Sequence, residues 1–138
     1  MKTILVLEDN PSNMQIFCIL LWAKGYQVLA ATTGHEAIQI SNNEIGSIDL
    51  LVSDLQLPDL SGTQVALRLM ESRPDLLILL VSGTPMFDWT ERDLRNFRRL
   101  PTGAVDFLEK PFRASTFETK IEDLLHHHTG VPAFQGDG

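Results

Sequence analysis

Cysteine, basic charge and long apolar runs are the three things that this chain of 138 residues has little of. Its single cysteine, Cys18, cannot form an internal disulfide and fits a reducing compartment. It stands in an apolar helical stretch and reads as a packed, inert thiol. Against 18 Asp and Glu there are only 11 Lys and Arg, a net charge of -7. That balance argues against a nucleic-acid surface, because phosphate binding needs clustered cations. The one basic knot, Arg92, Arg95, Arg98 and Arg99, has the three- and four-residue spacing of a solvated helix face. No apolar run approaches bilayer-spanning length. Met1-Lys2-Thr3 passes straight into Ile4-Leu5-Val6-Leu7, too short for a signal peptide and better read as a first strand. A cytoplasmic protein without membrane contact is expected.

What is there suits one domain with a proper core: 43% hydrophobic and 21% charged residues. The apolar runs Ile4–Leu7, Tyr26–Ala31, Ile48–Asp54, Leu76–Val81 and Ala104–Leu108 read as strands. Between them lie helical stretches. The first runs from Pro11, after the capping residue Asn10, to about Lys24, stopped by Gly25. His35 to Asn42 and Thr63 to Ser72 follow, then an Arg-rich helix from Trp89 to Leu100. Ser115-Thr116-Phe117-Glu118 has the form of a capping box opening a last helix to about Leu125. Strand and helix alternate five times, which implies a single doubly wound α/β domain with a parallel sheet and helices on both faces. Residues 1–125 form that domain and 126–138 a tail.

Right-handed crossovers bring every strand's carboxyl end to one edge of the sheet. Glu8-Asp9, Asp54, Ser82 and Lys110 each stand at or just after such an end. Three carboxylates gathered there repel one another unless a counter-charge is supplied, and a hard divalent cation such as Mg²⁺ supplies it. Lys110 adds an ammonium for a phosphoryl oxygen, and Ser82 a hydroxyl. The set is suited to receiving a phosphoryl group on Asp54, which comes from the central strand. Each residue taken singly also reads as a helix cap or a turn carboxylate.

The segments ILVLEDNPSN, DLLVSDLQLPDLSG, LLVSGT and GAVDFLEKPF, spread over residues 3 to about 125, resemble the receiver domains of two-component response regulators. The resemblance implies the five-stranded (βα)5, flavodoxin-like fold with sheet order 2-1-3-4-5. It implies Asp54 as phospho-acceptor, with Glu8, Asp9, Asp54 and the main-chain carbonyl of Gln56 around Mg²⁺, Mn²⁺ being the substitute ion. Ser82 and Lys110 would contact the phosphoryl group, Lys110-Pro111 would be a cis peptide, and Phe107 the switch aromatic. Gln56 and Thr84 would tune the lifetime of the phosphoryl group. The implied donor is a histidine kinase or histidine phosphotransfer protein, and a further protein reads the switch. No nucleic acid is contacted directly, and the chain is a monomer or weak homodimer. The pattern Glu8-Asp9-Asn10 with Asn13 is similar to receivers of hybrid sensor kinases. The chain would act alone, as a relay carrier or regulator, or as a piece of a larger sensor kinase or regulator.

Departures from the family pattern are Glu8 for the commoner Asp, Ser82 for the frequent Thr, and Arg113 where an acidic helix cap often stands. The stretch from Ser82 to Lys110 is also longer by several residues, with Pro85, Met86, Phe87 and Trp89 in it. Two other readings compete. An aspartyl-phosphate phosphatase needs a second Asp two residues after its nucleophile, where Gln56 stands. A flavodoxin-like cofactor binder needs a Gly-, Ser- and Thr-rich loop after the first strand, where Glu8-Asp9 would repel phosphate. A degenerate receiver serving as a binding scaffold would have lost reactive positions, and all are filled. Phe107 alternates with Val105 and fits a core position equally well. Trp22 and Trp89 read as packing residues, with Trp89 and Phe87 as an alternative exposed anchor. His126-His127-His128 point about 100° apart on a helix and cannot converge on one ion.

Overall fold

The inner strands are nearly continuous apolar runs because they are covered on both faces. The computed structural model describes residues 1–127. Its strands are β1 (Thr3–Leu7), β2 (Gln27–Ala31), β3 (Leu50–Asp54), β4 (Leu77–Ser82) and β5 (Val105–Glu109). The helices are α1 (Pro11–Ala23), α2 (Gly34–Asn43), α3 (Gly62–Ser72), α4 (Glu91–Arg99) and α5 (Ala114–Glu122), the last running into a π-helical turn at Asp123–His127. All strand pairs are parallel, in the order β2-β1-β3-β4-β5. Alternation along the strands divides the core in two. Ile4, Val6, Val52, Leu79 and Val81 meet Phe17, Leu21, Phe117 and Ile121 of α1 and α5. Leu5, Leu7, Leu51, Ile78 and Leu80 meet Ala37, Val65, Ala66 and Leu69 of α2 and α3 on the other face. This is the doubly wound α/β sheet that the alternating pattern implied.

Several expectations need correction. The last helix opens at Ala114, and its capping position is Arg113, which makes no side-chain cap bond; the box expected at Ser115 does not form. A capping box does exist at Ser61 and Gln64, opening α3. The fourth helix starts later than Trp89 because Thr90 caps it, accepting from the Asp93 amide at 3.1 Å, with Glu91 and Asp93 in the favoured acidic first turn. Met86–Asp88 form a 3₁₀ turn before it. The third strand begins at Leu50, and the Asp49 carboxylate just before it accepts from the Thr3 amide at the start of β1 at 2.8 Å. Trp22 is 59% exposed, not packed, whereas Trp89 is buried and Phe87 exposed, so those two form no joint anchor. Cys18 is buried, and burial pushes its thiol pKa up. Arg92, Arg95, Arg98 and Arg99 are all exposed. His126 is exposed within the π-helical turn, while the tail from His128 onward lies outside the described residues.

Phe117 is fully buried under the sheet and stacks with Phe17 and Phe112 at ring separations of 5.1 and 5.8 Å. Phe117→Ala should cost about 3–5 kcal/mol in urea unfolding, a loss under 1 kcal/mol meaning that α5 is not seated this way.

Candidate functional site

Three strands end within reach of one another, and backbone bonds lock their ends together. The Leu55 amide donates to the Val81 carbonyl at 2.8 Å, and the Lys110 amide to the Ser82 carbonyl at 2.7 Å. Asp54 closes β3 as a half-buried carboxylate, and Glu8, just past β1, is 1% exposed. One oxygen from each of Glu8, Asp9 and Asp54 lies within 4.8 Å of the others. The ammonium of Lys110 sits 3.4 Å from Glu8 Oε1 and 3.7 Å from Asp54 Oδ1. The second Glu8 oxygen accepts from the Asn10 amide at 3.1 Å. The peptide between Lys110 and Pro111 is cis.

Burial, and then the neighbouring Glu8 carboxylate, push the Asp54 pKa up to about 6, Asp9 adding a smaller push and Lys110 opposing it. One ammonium does not balance three acids. A divalent cation among these oxygens would do so, and its donor set of hard carboxylates fits Mg²⁺ rather than a softer metal.

Ser82 is buried at the end of β4 and closes a small ring with Thr84. Its hydroxyl donates to the Thr84 carbonyl and accepts from the Thr84 amide, both at 2.9 Å. The indole Nε1 of Trp89 donates to that same carbonyl at 3.1 Å. Trp89 then stands edge-on to Phe107 and Phe97, with ring centres 5.9 and 5.6 Å away. Phe107 is half-buried at the edge of the sheet. Gln56 lies exposed in the loop after β3 and pairs by an isolated bridge with Ser61.

The loop between β3 and α3 is pinned at both ends. At its tip Asp59 accepts from the amides of Gly34 and His35 at 2.8 Å each and from Leu60 at 2.9 Å, and meets His35 Nδ1 at 2.6 Å. Burial works against ionising Asp59, but these bonds outweigh it and hold its pKa down to about 2. At the base, a side chain on Gly62 would collide with the Asp54 carbonyl, so only glycine lets α3 begin this close to the site. Sequence reading missed Gly62, Thr90 and Asp93. Thr90 alone left a usable signal, a hydroxyl followed three residues later by an acid.

The fold and this acidic edge define a doubly wound domain built around an aspartate, a lysine and room for a cation. The chain belongs to the response regulator receiver domain family, whose model matches residues 4–122. It is 31% identical to the sensor kinase CckA of Brucella abortus over 89% of this chain and 12% of that protein. It superposes on the receiver domain protein of Methanospirillum hungatei with a TM-score of 0.79 at 23% identity, covering 94% of this chain and 97% of the other. It also superposes on the response regulator TrrA of Thermotoga maritima in complex with Mg(2+)-BeF. There the TM-score is 0.73 at 28% identity, covering 91% of this chain and all of the other. The chain spans about half, or much less, of the curated relatives that it matches. No helix among the described residues is long and apolar enough to cross a membrane.

The raised pKa of Asp54 has a defined sign. The folded state holds the Asp54 proton more tightly than the unfolded chain, so this contribution to stability is complete below pH ~4 and is lost as pH rises through about 6. In EDTA, the melting temperature of the wild type should therefore fall across that window relative to Asp54→Asn. Parallel curves for the two proteins would contradict the burial assigned to Asp54.

Proposed function

We propose that the chain is a phosphorylation-gated signalling module, with no substrate beyond its phosphodonor. It takes a phosphoryl group from a phosphohistidine, on a histidine kinase or histidine phosphotransfer protein, onto Asp54. The observation that carries the reading is the meeting of Asp54 with Glu8, Asp9 and Lys110 at the carboxyl edge of a receiver sheet. Glu8, Asp9, Asp54 and the main-chain carbonyl of Gln56 would hold Mg²⁺, which when bound offsets charge on the phosphoryl oxygens. The Mg(2+)-BeF complex of the Thermotoga protein supports the same ion class here.

In the transfer, an Asp54 oxygen forms a bond to phosphorus as the bond from phosphorus to the donor imidazole breaks. The imidazole nitrogen keeps the electron pair. Lys110, already within ion-pair reach of Asp54, turns its ammonium onto a phosphoryl oxygen. Ser82 swings its hydroxyl from the Thr84 carbonyl to another phosphoryl oxygen. That releases one of the two donors on Thr84 and shifts the balance at Trp89 and Phe107, which changes the face made by α4, β5 and α5. Gln56 and Thr84 border the phosphoryl group and set how fast water removes it.

The donor has a docking face beside this site. Helix α1 has no charged residue among its 13, and it exposes Ile16, Ile19 and Trp22. A cavity of 430 Å³ beside that face is lined by Ile16, Leu20, Lys110, Pro111 and Phe112. A protein docked there by an apolar helix would bring its phosphohistidine to the acidic edge. The module works in the cytoplasm as a monomer or weak homodimer, and its reader is a protein rather than nucleic acid.

Incubation with acetyl phosphate and Mg²⁺ should label the wild type with acid-stable, base-labile phosphate and leave Asp54→Asn unlabelled. Undiminished labelling of that variant would refute Asp54 as acceptor. In a Trp22→Phe background, which leaves Trp89 as the only tryptophan, beryllofluoride with Mg²⁺ should shift the fluorescence. Lys110→Ala in that background should keep Mg²⁺ binding and lose the shift; a normal shift would remove Lys110 from the switch.

A further inference from the structure

A carboxylate buried in α4 grips the loop that borders the acidic site. Asp93 is 3% exposed, and its ion pair with the exposed Arg92 is a long one, Nε standing 3.7 Å from Oδ1. Its bonds go instead to α3. The hydroxyls of Ser61 and Thr63 both donate to Asp93 Oδ1, at 2.7 and 2.6 Å, and Asn96 of α4 donates to Thr63 Oγ1 at 3.2 Å. An acid at this position of a helix often reaches back to its own capping residue. Asp93 accepts nothing from Thr90 and spends its oxygen on a segment 30 and 32 positions earlier in the chain.

Ser61 is the residue through which such a grip acts on the site. It caps α3, and it closes the base of the loop by its bridge to Gln56, next to the bond from the Gly62 amide to the Leu55 carbonyl at 2.8 Å. The loop tip is tied separately, by Asp59 on α2. Gln56 therefore lies between a tip held to α2 and a base held to α4.

The geometry points to Asp93 as a positioning residue for cation binding: through Ser61 and Thr63 it orients the Gln56 carbonyl and couples the seating of α4 to a divalent cation at Glu8, Asp9 and Asp54. The inference rests on the receiver reading above and adds a direction that the reading leaves open. Because coupling is reciprocal, the bound cation tightens α4 as much as a seated α4 favours the cation. Partners touching α4 would then sense the cation as well as the phosphoryl group.

The test is Mg²⁺ titration by calorimetry on the full chain, with amide hydrogen exchange of Glu91–Arg99 followed with and without Mg²⁺. Asp93→Ala should bind Mg²⁺ about tenfold or more weakly, the usual loss when a group supporting a metal ligand is removed. Exchange protection of α4 should rise with Mg²⁺ in the wild type and not in Asp93→Ala. Asp93→Asn keeps an acceptor oxygen for the two hydroxyls and should restore most of both effects. Should Asp93→Ala fail to fold, Thr63→Val removes one donor from the other side and should weaken Mg²⁺ binding in the same sense. A folded Asp93→Ala or Thr63→Val that melts lower but binds Mg²⁺ as the wild type does would overturn the inference and leave the receiver reading standing. A wild type that binds no Mg²⁺ would overturn both.

Discussion

Repulsion among carboxylates at one edge of the sheet is the constraint on which the rest of the structure depends. Glu8 is almost fully buried, Asp54 half so, and Asp9 stands beside them, with Lys110 as the one cation in reach among the described residues. An arrangement of this kind is costly to fold, and its cost appears as the raised pKa of Asp54. A protein designed for stability alone would place an apolar residue or a matched ion pair there. Because the acids are so poorly balanced, anything that brings positive charge to this edge changes the balance sharply.

Such a site needs walls that do not relax. The strand ends are bonded to one another across β3, β4 and β5, so Asp54, Ser82 and Lys110 cannot drift apart. The loop after β3 is held by Asp59 at its tip and by Ser61 and Gly62 at its base, the glycine allowing backbone to lie against backbone. The segment before α4 follows directly on the buried Ser82 and is tied back to it through Thr84. Within it Trp89 joins the Thr84 carbonyl to Phe107, giving the hydroxyl of Ser82 a short path to the surface.

Much of this was legible in the chain because its signals are local. Continuous apolar runs could only be strands covered on both faces, and an acid or a lysine ending each run had to meet the others once the crossovers were right-handed. The meeting of Asp54, Glu8, Asp9 and Lys110 at one edge was legible in that way. What escaped depends on distance in the chain. Trp22 looks like core because α1 carries no charge and its second half is wholly apolar, and only the folded helix shows which side faces water. Ser115 and Ser61 both begin capping-box patterns, and the pattern alone cannot tell which cap forms. Asp93 resembles any acid in a first turn, since its burial is decided by a helix some thirty positions earlier.

Glu8 and Lys110, which meet at 3.4 Å, are 102 positions apart in the chain. Bringing such distant segments together costs closure entropy that local contacts do not return until the sheet is nearly complete. The fifth strand, which carries the lysine, is paired on one side only, with β4. An intermediate lacking β5 would hold three acids with no cation among them, a charge state that disfavours lingering there. The acidic edge with its lysine is thus a property of the finished chain, and a molecule in which β5 has frayed lacks it.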